Sequence, residues 1–337
     1  MDAYVKALVA VALLSAVVIS TGTSGHRRIV AIGDVHGDVE QLVAVLQMSE
    51  VVNASGHWVG GITTLVQVGD LLDRGPKDKT VLDFFMMLRD EAQVAGGHVV
   101  NLIGNHEVLN LQGAFHYAHP DSHEEFGGKH NRKRSLKAEG KYGDFLRSFS
   151  LVHVEGRTLF VHAGVSPSYA HHGVAGLNRL AADAMRSDQF DAKVFGVHGP
   201  IWTRALIMDA MNLRCSGVEE SLRVLDLDRM VVGHTPQRSG VIESYCDDKL
   251  IAIDVGISKW MYGHLAALEI TEFQNHTEPE LRSILPSDWG VRSERDSGDA
   301  VEKDPILLQQ LLDSVHEYHT RKAVEESART EDLNADL

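Results

Sequence analysis

Five short stretches of this chain carry side chains that hold cations or move protons. They are Asp34, His36 and Asp38 in GDVHGD, Asp70, Asp73 and Arg74 in GDLLDRG, Asn105, His106 and Glu107 in GNHE, His162 in HAG, and His234 in GHT. A donor set of carboxylate, amide oxygen and imidazole without thiolate suits borderline and hard divalent ions such as manganese, iron or zinc. One aspartate can bridge two such ions about 3.5–4 Å apart, and the pair then clamps the attacking and leaving oxygens of an in-line displacement. Any one stretch arises by chance, and a lone histidine after a strand is ordinarily a surface or core residue. The information lies in their succession.

Each stretch sits at the end of an apolar, β-branched run. The candidate strands are Arg28 to Ile32, Thr64 to Val68, Val99 to Ile103, Thr158 to His162 and Arg229 to Gly233, followed by Leu250 to Asp254 and Leu265 to Ile270. Between the first three lie VEQLVAVLQM and KTVLDFFMMLRDEAQ, whose apolar residues recur at helical spacing. Alternation of strand and helix predicts an α/β core. The later strands, joined by short connections, predict a second sheet closing a sandwich. In such folds ligand-binding groups gather beyond the carboxyl ends of strands, so five strand ends can deliver their side chains to one place. Asp38 is expected to open the next helix as a negative charge near its N-terminus, and Glu107 to do likewise. His171 and His172 read as an exposed turn.

Two segments break this order. Residues 113–142 are polar, rich in His, Lys and Arg, and without apolar periodicity, so they read as an insert over one face. Its run KHNRKR (Lys129 to Arg134) and its Tyr117 and His119 line a phosphopeptide groove in one reading and form a solvated basic loop in the other. Residues 277–304 are charged and marked by proline, as in a linker. Beyond them Leu308, Leu311, Leu312 and Val315 fall at helical spacing, predicting an amphipathic helix that packs back on the body.

The 337 residues carry a formal net charge of −15, so the surface is expected to repel nucleic acid and anionic membrane rather than seek them. Lys6, the apolar run from Ala7 to Ser20 and the small residues after it have the layout of a cleavable secretory signal peptide over residues 1–22. The run is short for a membrane span, which needs about 20 residues. The expected destination is the secretory pathway or the exterior, with a membrane anchor or an organelle-import leader as the alternatives. Cys215 and Cys246 fit one disulfide of an exported chain or two buried thiols. The sequons at Asn53 and Asn275 agree with export.

Taken in order, GDVHG, GDLLDRG, GNHE, HAG and GHT resemble the signature of the calcineurin-like metallophosphoesterases, within the phosphoprotein phosphatase superfamily. GPIWTR (Gly199 to Arg204), DRMVVGHTPQ (Asp228 to Gln237) and LIAIDVGIS (Leu250 to Ser258) look most like the Shewanella-like protein phosphatases. The resemblance spans Arg28 to Ile270. It implies an αββα sandwich of two mixed sheets flanked by helices, with the catalytic domain over residues 28–276 and the linker and tail helix over 277–337. It implies two divalent metals, manganese foremost and iron or zinc as alternatives. Asp34 and His36 would hold the first metal, Asp70 would bridge, and Asn105, His162 and His234 would hold the second. Arg74 and Arg204 would bind phosphate oxygens together with Asn105 and His106. His106 would be the general acid oriented by Asp73, with a metal-activated hydroxide as nucleophile.

The activity so implied is hydrolysis of phosphomonoesters on a phosphorylated protein or peptide, with the family's leaning toward phosphotyrosine. The sequence departs from the better-known protein phosphatases, which have HGG where this chain has His162, Ala163 and Gly164, and it lacks their toxin-contacting loop. One alternative is a dinucleoside-polyphosphate hydrolase, which shares the scaffold and HAG but usually reads GNHD where this chain has Glu107. Another is a non-catalytic scaffold that binds phosphoproteins. The presence of all six ligand positions, His106 and both arginines speaks against it.

Overall fold

The structure, a computed structural model, describes residues 26–274, 278–287 and 305–335. The chain begins with two parallel crossovers: β1 (His26–Ile32), α1 (Val39–Met48), β2 (Thr64–Gln67), α2 (Asp78–Ala95) and β3 (His98–Asn101). Next come α3 (Asn105–Gln112) and three short helices, α4 (Pro120–Glu125), α5 (Lys129–Ser135) and α6 (Lys141–Arg147). Strands β4 (Val152–Glu155) and β5 (Thr158–Val161) lead to α7 (Pro167–Ala170), α8 (Gly173–Arg186), α9 (Ala205–Met211) and α10 (Ser216–Leu225). The chain then supplies β6 (Arg229–Val232), β7 (Glu243–Tyr245), β8 (Leu250–Ala252), β9 (Ala267–Phe273), β10 (Glu280–Ile284) and α11 (Pro305–Ala335).

The strands form two five-stranded sheets in the orders β10-β9-β1-β2-β3 and β4-β5-β6-β8-β7. In the first, β1, β2 and β3 run parallel out to the β3 edge while β9 and β10 add antiparallel pairs on the other side; in the second, a parallel centre β5-β6-β8 is flanked by antiparallel β4 and β7. Successive side chains of a strand point to opposite faces, and here both faces are buried. Ile29 and Ala31 of β1 join Val66, Phe160, Val231 and Ile251 in the core between the sheets. Val30 and Ile32 face outward into the larger core, which includes Leu42 of α1 and Phe85 of α2. Strands apolar on both faces are what a sheet covered by helices on one side and by a second sheet on the other requires. The αββα sandwich expected from the sequence is present.

Local chemistry sets the helix ends. Asp38 caps α1 by accepting from the Gln41 amide at 3.1 Å, and it also takes the Lys259 amide at 2.8 Å. Gly96, at φ 82°, ends α2 in the left-handed conformation that glycine adopts without a side-chain clash.

Two expectations need revision. The segment read as linker contributes β10, an edge strand whose Arg282 pairs with Glu269 of β9 at 2.9 Å. The insert is helical, and Arg132 in its basic run is fully buried where a solvated loop was one reading. The leader, the Asn275 sequon and most of the proposed linker lie outside the described residues. Among those residues, no helix is long and apolar enough to cross a membrane.

Helix α11 packs on α2. Leu311 and Val315 are buried, and Tyr318 donates its hydroxyl to Asp90 at 2.8 Å. Cys215, before α10, and Cys246, after β7, form a disulfide with Cα atoms 5.6 Å apart.

Candidate active site

The loops after β1, β2 and β3 are tied into one unit. The amides of Val35 and His36 both donate to the Asp70 carbonyl at 3.0 Å, and that of Gly37 donates to Leu71 at 2.7 Å. From the first turn of α3, the Glu107 carboxylate accepts the amides of Asp70 and Leu71 at 2.8 Å, Gly104 at 2.9 Å and Leu72 at 3.2 Å. Its carboxyl is pushed up to about 7, by burial first and by the nearby Asp70 charge second. Glu107 therefore does more than place charge at a helix start: it shapes the second loop. Gly104 leaves the space this needs, because an added Cβ would run into the Asp70 amide and carboxylate.

Backbone strain concentrates here. His36, Asp70, Asp73, Arg74 and His234 all have φ between 50° and 72°. Such conformations cost of order 1 kcal/mol or more for a residue with a side chain and persist where surrounding contacts over-determine them.

The side chains converge. Asp70 Oδ2 lies 3.4 Å from His162 Nε2, 3.9 Å from His106 Nε2 and 4.0 Å from His36 Nε2, and His36 Nε2 is also 4.0 Å from Asp34 Oδ2. Asn105 Oδ1 is 2.9 Å from His162 Nε2, and the His162 and His234 rings are 4.9 Å apart. Two donor groups result, His36–Asp70–His106 and Asp70–His162–His234, each with its donor atoms within 4.8 Å of one another. Asp70 belongs to both. The far ring nitrogens are engaged by backbone carbonyls: His36 Nδ1 by Leu72 and His162 Nδ1 by Val68 at 3.0 Å, and His234 Nε2 by Trp202 at 3.2 Å. Hydrogen bonds of this kind fix tautomer and ring orientation in metal-binding histidines.

The electrostatics suit cations. Burial, with neighbouring imidazoles adding to it, lowers His36 and His234 to about 3, so both are neutral near pH 7 with a lone pair to donate. Burial, reinforced by the charges of Asp254 and Asp70, pushes Asp34 well up. Burial, with the Asp70 charge adding to it, pushes Asp254 up to about 6, although its contacts with the Gly256 amide and Asp34 work the other way. Burial alone would raise Asp70 too, but His162, His106 and His36 hold it well below the ordinary carboxylate range. Asp254 Oδ2 is buried without a hydrogen-bond donor. Buried carboxylates in excess, neutral imidazoles and an amide oxygen form a donor set that fits divalent metals.

The remaining expected residues lie around this cluster. His106 Nδ1 is 2.7 Å from Asp73 Oδ2, and both side chains are buried. Burial lowers the His106 imidazole, yet the Asp70 and Asp73 carboxylates hold it above its ordinary value. Arg74 flanks this side, its guanidinium 5.5 Å from the Tyr117 ring and its Nε buried without a partner. Arg204 flanks the other, exposed at the start of α9 and donating to the His234 carbonyl at 3.2 Å. All ten side chains singled out from the sequence thus belong to one neighbourhood. Sequence reasoning passed over Asp254, although it ends a strand as Asp34 does, and Asn110, one helical turn beyond His106. It treated Arg132 only as part of the basic run Lys129 to Arg134, lining a groove or solvated, and not as a buried group beside Asp73.

Residues 27–238 match the calcineurin-like phosphoesterase family. An uncharacterized protein of Schizosaccharomyces pombe is 32% identical over 75% of this chain and 80% of its own length. Shewanella-like protein phosphatase 2 of Arabidopsis thaliana is 30% identical over 72% and 74%. Among solved structures, the cold-active protein-tyrosine phosphatase of a psychrophilic Shewanella species superimposes with a TM-score of 0.65 at 25% identity, covering 77% of this chain and 81% of that one. With that signature, sandwich and strand-end cluster, the chain belongs to the calcineurin-like phosphoesterase family, among the Shewanella-like protein phosphatases.

Proposed function

We propose that the protein is a metal-dependent phosphoprotein phosphatase that hydrolyses phosphomonoesters and favours phosphotyrosine. The observation that carries this reading is the His106–Asp73 pair, 2.7 Å apart, whose imidazole also belongs to one of two donor groups that share Asp70. Asp34, His36, Asp70, Asn105, His162 and His234 would hold two divalent cations, with manganese the first candidate. Such ions supply an acidified water and positive charge against the phosphoryl oxygens.

The chain's own groups have distinct tasks. Arg74 and Arg204, on opposite sides of the cluster, grip phosphoryl oxygens with planar guanidinium forks, which match that geometry better than an ammonium. Burial lowers the His106 imidazole, but Asp70 and Asp73 outweigh it and hold the ring above its ordinary value, which favours the protonated form a donor needs. His106 gives that proton to the departing alkoxide or phenoxide, while Asp73 fixes the ring.

An aromatic flank supports the phosphotyrosine preference. The Tyr117 ring, 42% exposed, lies 5.1 Å from the His106 ring, and His119 leads on to the exposed Trp260 at 6.1 Å. A phenyl ester leaving past His106 would meet ring faces, whereas a seryl ester would leave them bare.

The test is turnover of phosphotyrosyl peptide, phosphoseryl peptide and diadenosine tetraphosphate with added manganese. The expected order puts the phosphotyrosyl peptide first. Hydrolysis of the tetraphosphate alone would replace this reading with the anhydride one, and no turnover of any would replace it with a binding scaffold. The leader and the Cys215–Cys246 disulfide support export through the secretory route. Recovery from secreting cells with Met1 and the apolar run intact would contradict removal of the leader.

A further inference from the structure

Arg132 is the largest fully buried side chain in the described protein, and it comes from the insert rather than from the sheets. Its Nη2 donates to Asp78 Oδ2 and Asn110 Oδ1 at 2.6 Å each and reaches Asp73 Oδ1 at 3.4 Å. Its Nε donates to Asn110 at 3.2 Å, and its Nη1 to the Ser122 hydroxyl. The guanidinium lies between the rings of Phe115 and Phe126, 5.2 and 5.1 Å from their centroids. Phe115, Ser122 and Phe126 also belong to the insert, so this segment is built around one cation.

That cation faces the back of Asp73. The Asp73 carboxylate accepts from His106 on Oδ2, and on Oδ1 from Asn110 at 2.9 Å and from Arg132. The Asp73 amide donates to Asp78 Oδ1 at 2.8 Å, and the other oxygen of Asp78 receives Arg132 and Ser122. Asp73 has φ 72°, a conformation its own side chain does not favour, so it needs such external fixing.

We infer that Arg132 is a positioning residue for proton donation: by clamping Asn110, Asp78 and the Oδ1 edge of Asp73, it keeps Oδ2 on His106 Nδ1 and His106 Nε2 turned to the leaving oxygen. This rests on the reading of His106 as the proton donor. The insert thereby acts on the chemistry from behind the site. Lysine carries the charge but not the planar fork that spans these four acceptor groups at once.

The test compares kcat/KM for phenyl phosphate, whose leaving group needs a proton, with that for 2,4-dinitrophenyl phosphate, whose leaving group does not. The ratio of the two cancels any loss of folded material. General acids contribute about 10²–10⁴-fold, so Arg132→Gln is expected to lower the ratio by about ten-fold or more, and Arg132→Lys by less. A ratio within about two-fold of wild type for Arg132→Gln would overturn the inference. If Arg132→Gln yields no soluble protein, Ser122→Ala, which removes one acceptor of the guanidinium, is expected to lower the ratio measurably, and an unchanged ratio there overturns it as well. His106→Gln is assayed alongside. If that variant leaves the ratio intact, the donor reading itself has failed, a result distinguishable from failure at Arg132 alone.

Discussion

The Nδ1 atom of His106 lies 2.7 Å from Asp73 Oδ2 while its Nε2 lies 3.9 Å from Asp70 Oδ2, so one ring faces an orienting carboxylate and the shared carboxylate of both donor groups. His106 is thus geometrically eligible both as a proton donor and as a ligand.

His106→Ala separates these roles. As a donor, its loss should lower kcat on phosphotyrosyl peptide by about 10²–10⁴-fold while elemental analysis still finds both metals. Loss of one metal together with activity would instead make His106 a ligand. Near-normal turnover would remove it from the mechanism.

Asp70→Asn addresses the bridge. Asp70 is the residue common to the two donor groups, and its carboxylate stays ionised because three imidazoles outweigh burial. An amide keeps the shape and removes the charge, so metal content should fall below one ion per chain after dialysis. Two tightly held ions in this variant would contradict a shared aspartate.

How much of this was legible beforehand depends on the range of the interactions. Asp34, Asp70, Asn105, His162 and His234 announce themselves because each follows an apolar strand within a few residues, and parallel strands bring such ends to one edge. Arg132 gives no such signal: KHNRKR looks solvated, and only the fold reveals Asp73 and Asp78 waiting for it 54 to 59 residues away. The insert helices were missed because they are short and pack through scattered aromatics and one arginine rather than an apolar stripe. Strand β10 was missed because an edge strand exposes charge, and Arg282 becomes intelligible only opposite Glu269. Glu107 looked like a helix-start acid because its four backbone donors come mostly from another loop.

Glu107→Ala should therefore be severe although Glu107 is not among the expected metal ligands. Four backbone amides lose their acceptor, three of them in the Asp70–Leu72 loop. An unsatisfied buried donor costs about 1–3 kcal/mol, so a loss of at least ~3 kcal/mol in urea unfolding is expected, with weaker metal retention. Wild-type stability would show that the loop does not depend on this carboxylate.

Acid should loosen the junction of α2 with α6 and α11. Burial would raise Asp83, but Lys141 at 2.7 Å and Lys79 at 2.7 Å hold it below its ordinary value. A depressed carboxyl stabilises the fold above its unfolded value of about 3.9, and that contribution is lost as pH falls through the lower folded value. The stability difference between wild type and Asp83→Asn should be constant above about pH 5 and shrink below about pH 4. A difference that grows on acidification would reverse the sign argued here.

The disulfide makes the last test. Cys215 and Cys246 are 31 residues apart, and their link ties the start of α10 to the turn after β7, beside neither donor group. Closing a loop of that length is worth about 3–4 kcal/mol in the chain-entropy model. The double variant Cys215→Ser/Cys246→Ser should therefore lose about that much stability, while the folded fraction keeps its kcat and metal content. A variant as stable as wild type would mean that the unfolded chain gains little freedom from the cut. Loss of metal at full folding would mean that α10, next to α9 and Arg204, transmits the strain of the cut into the site.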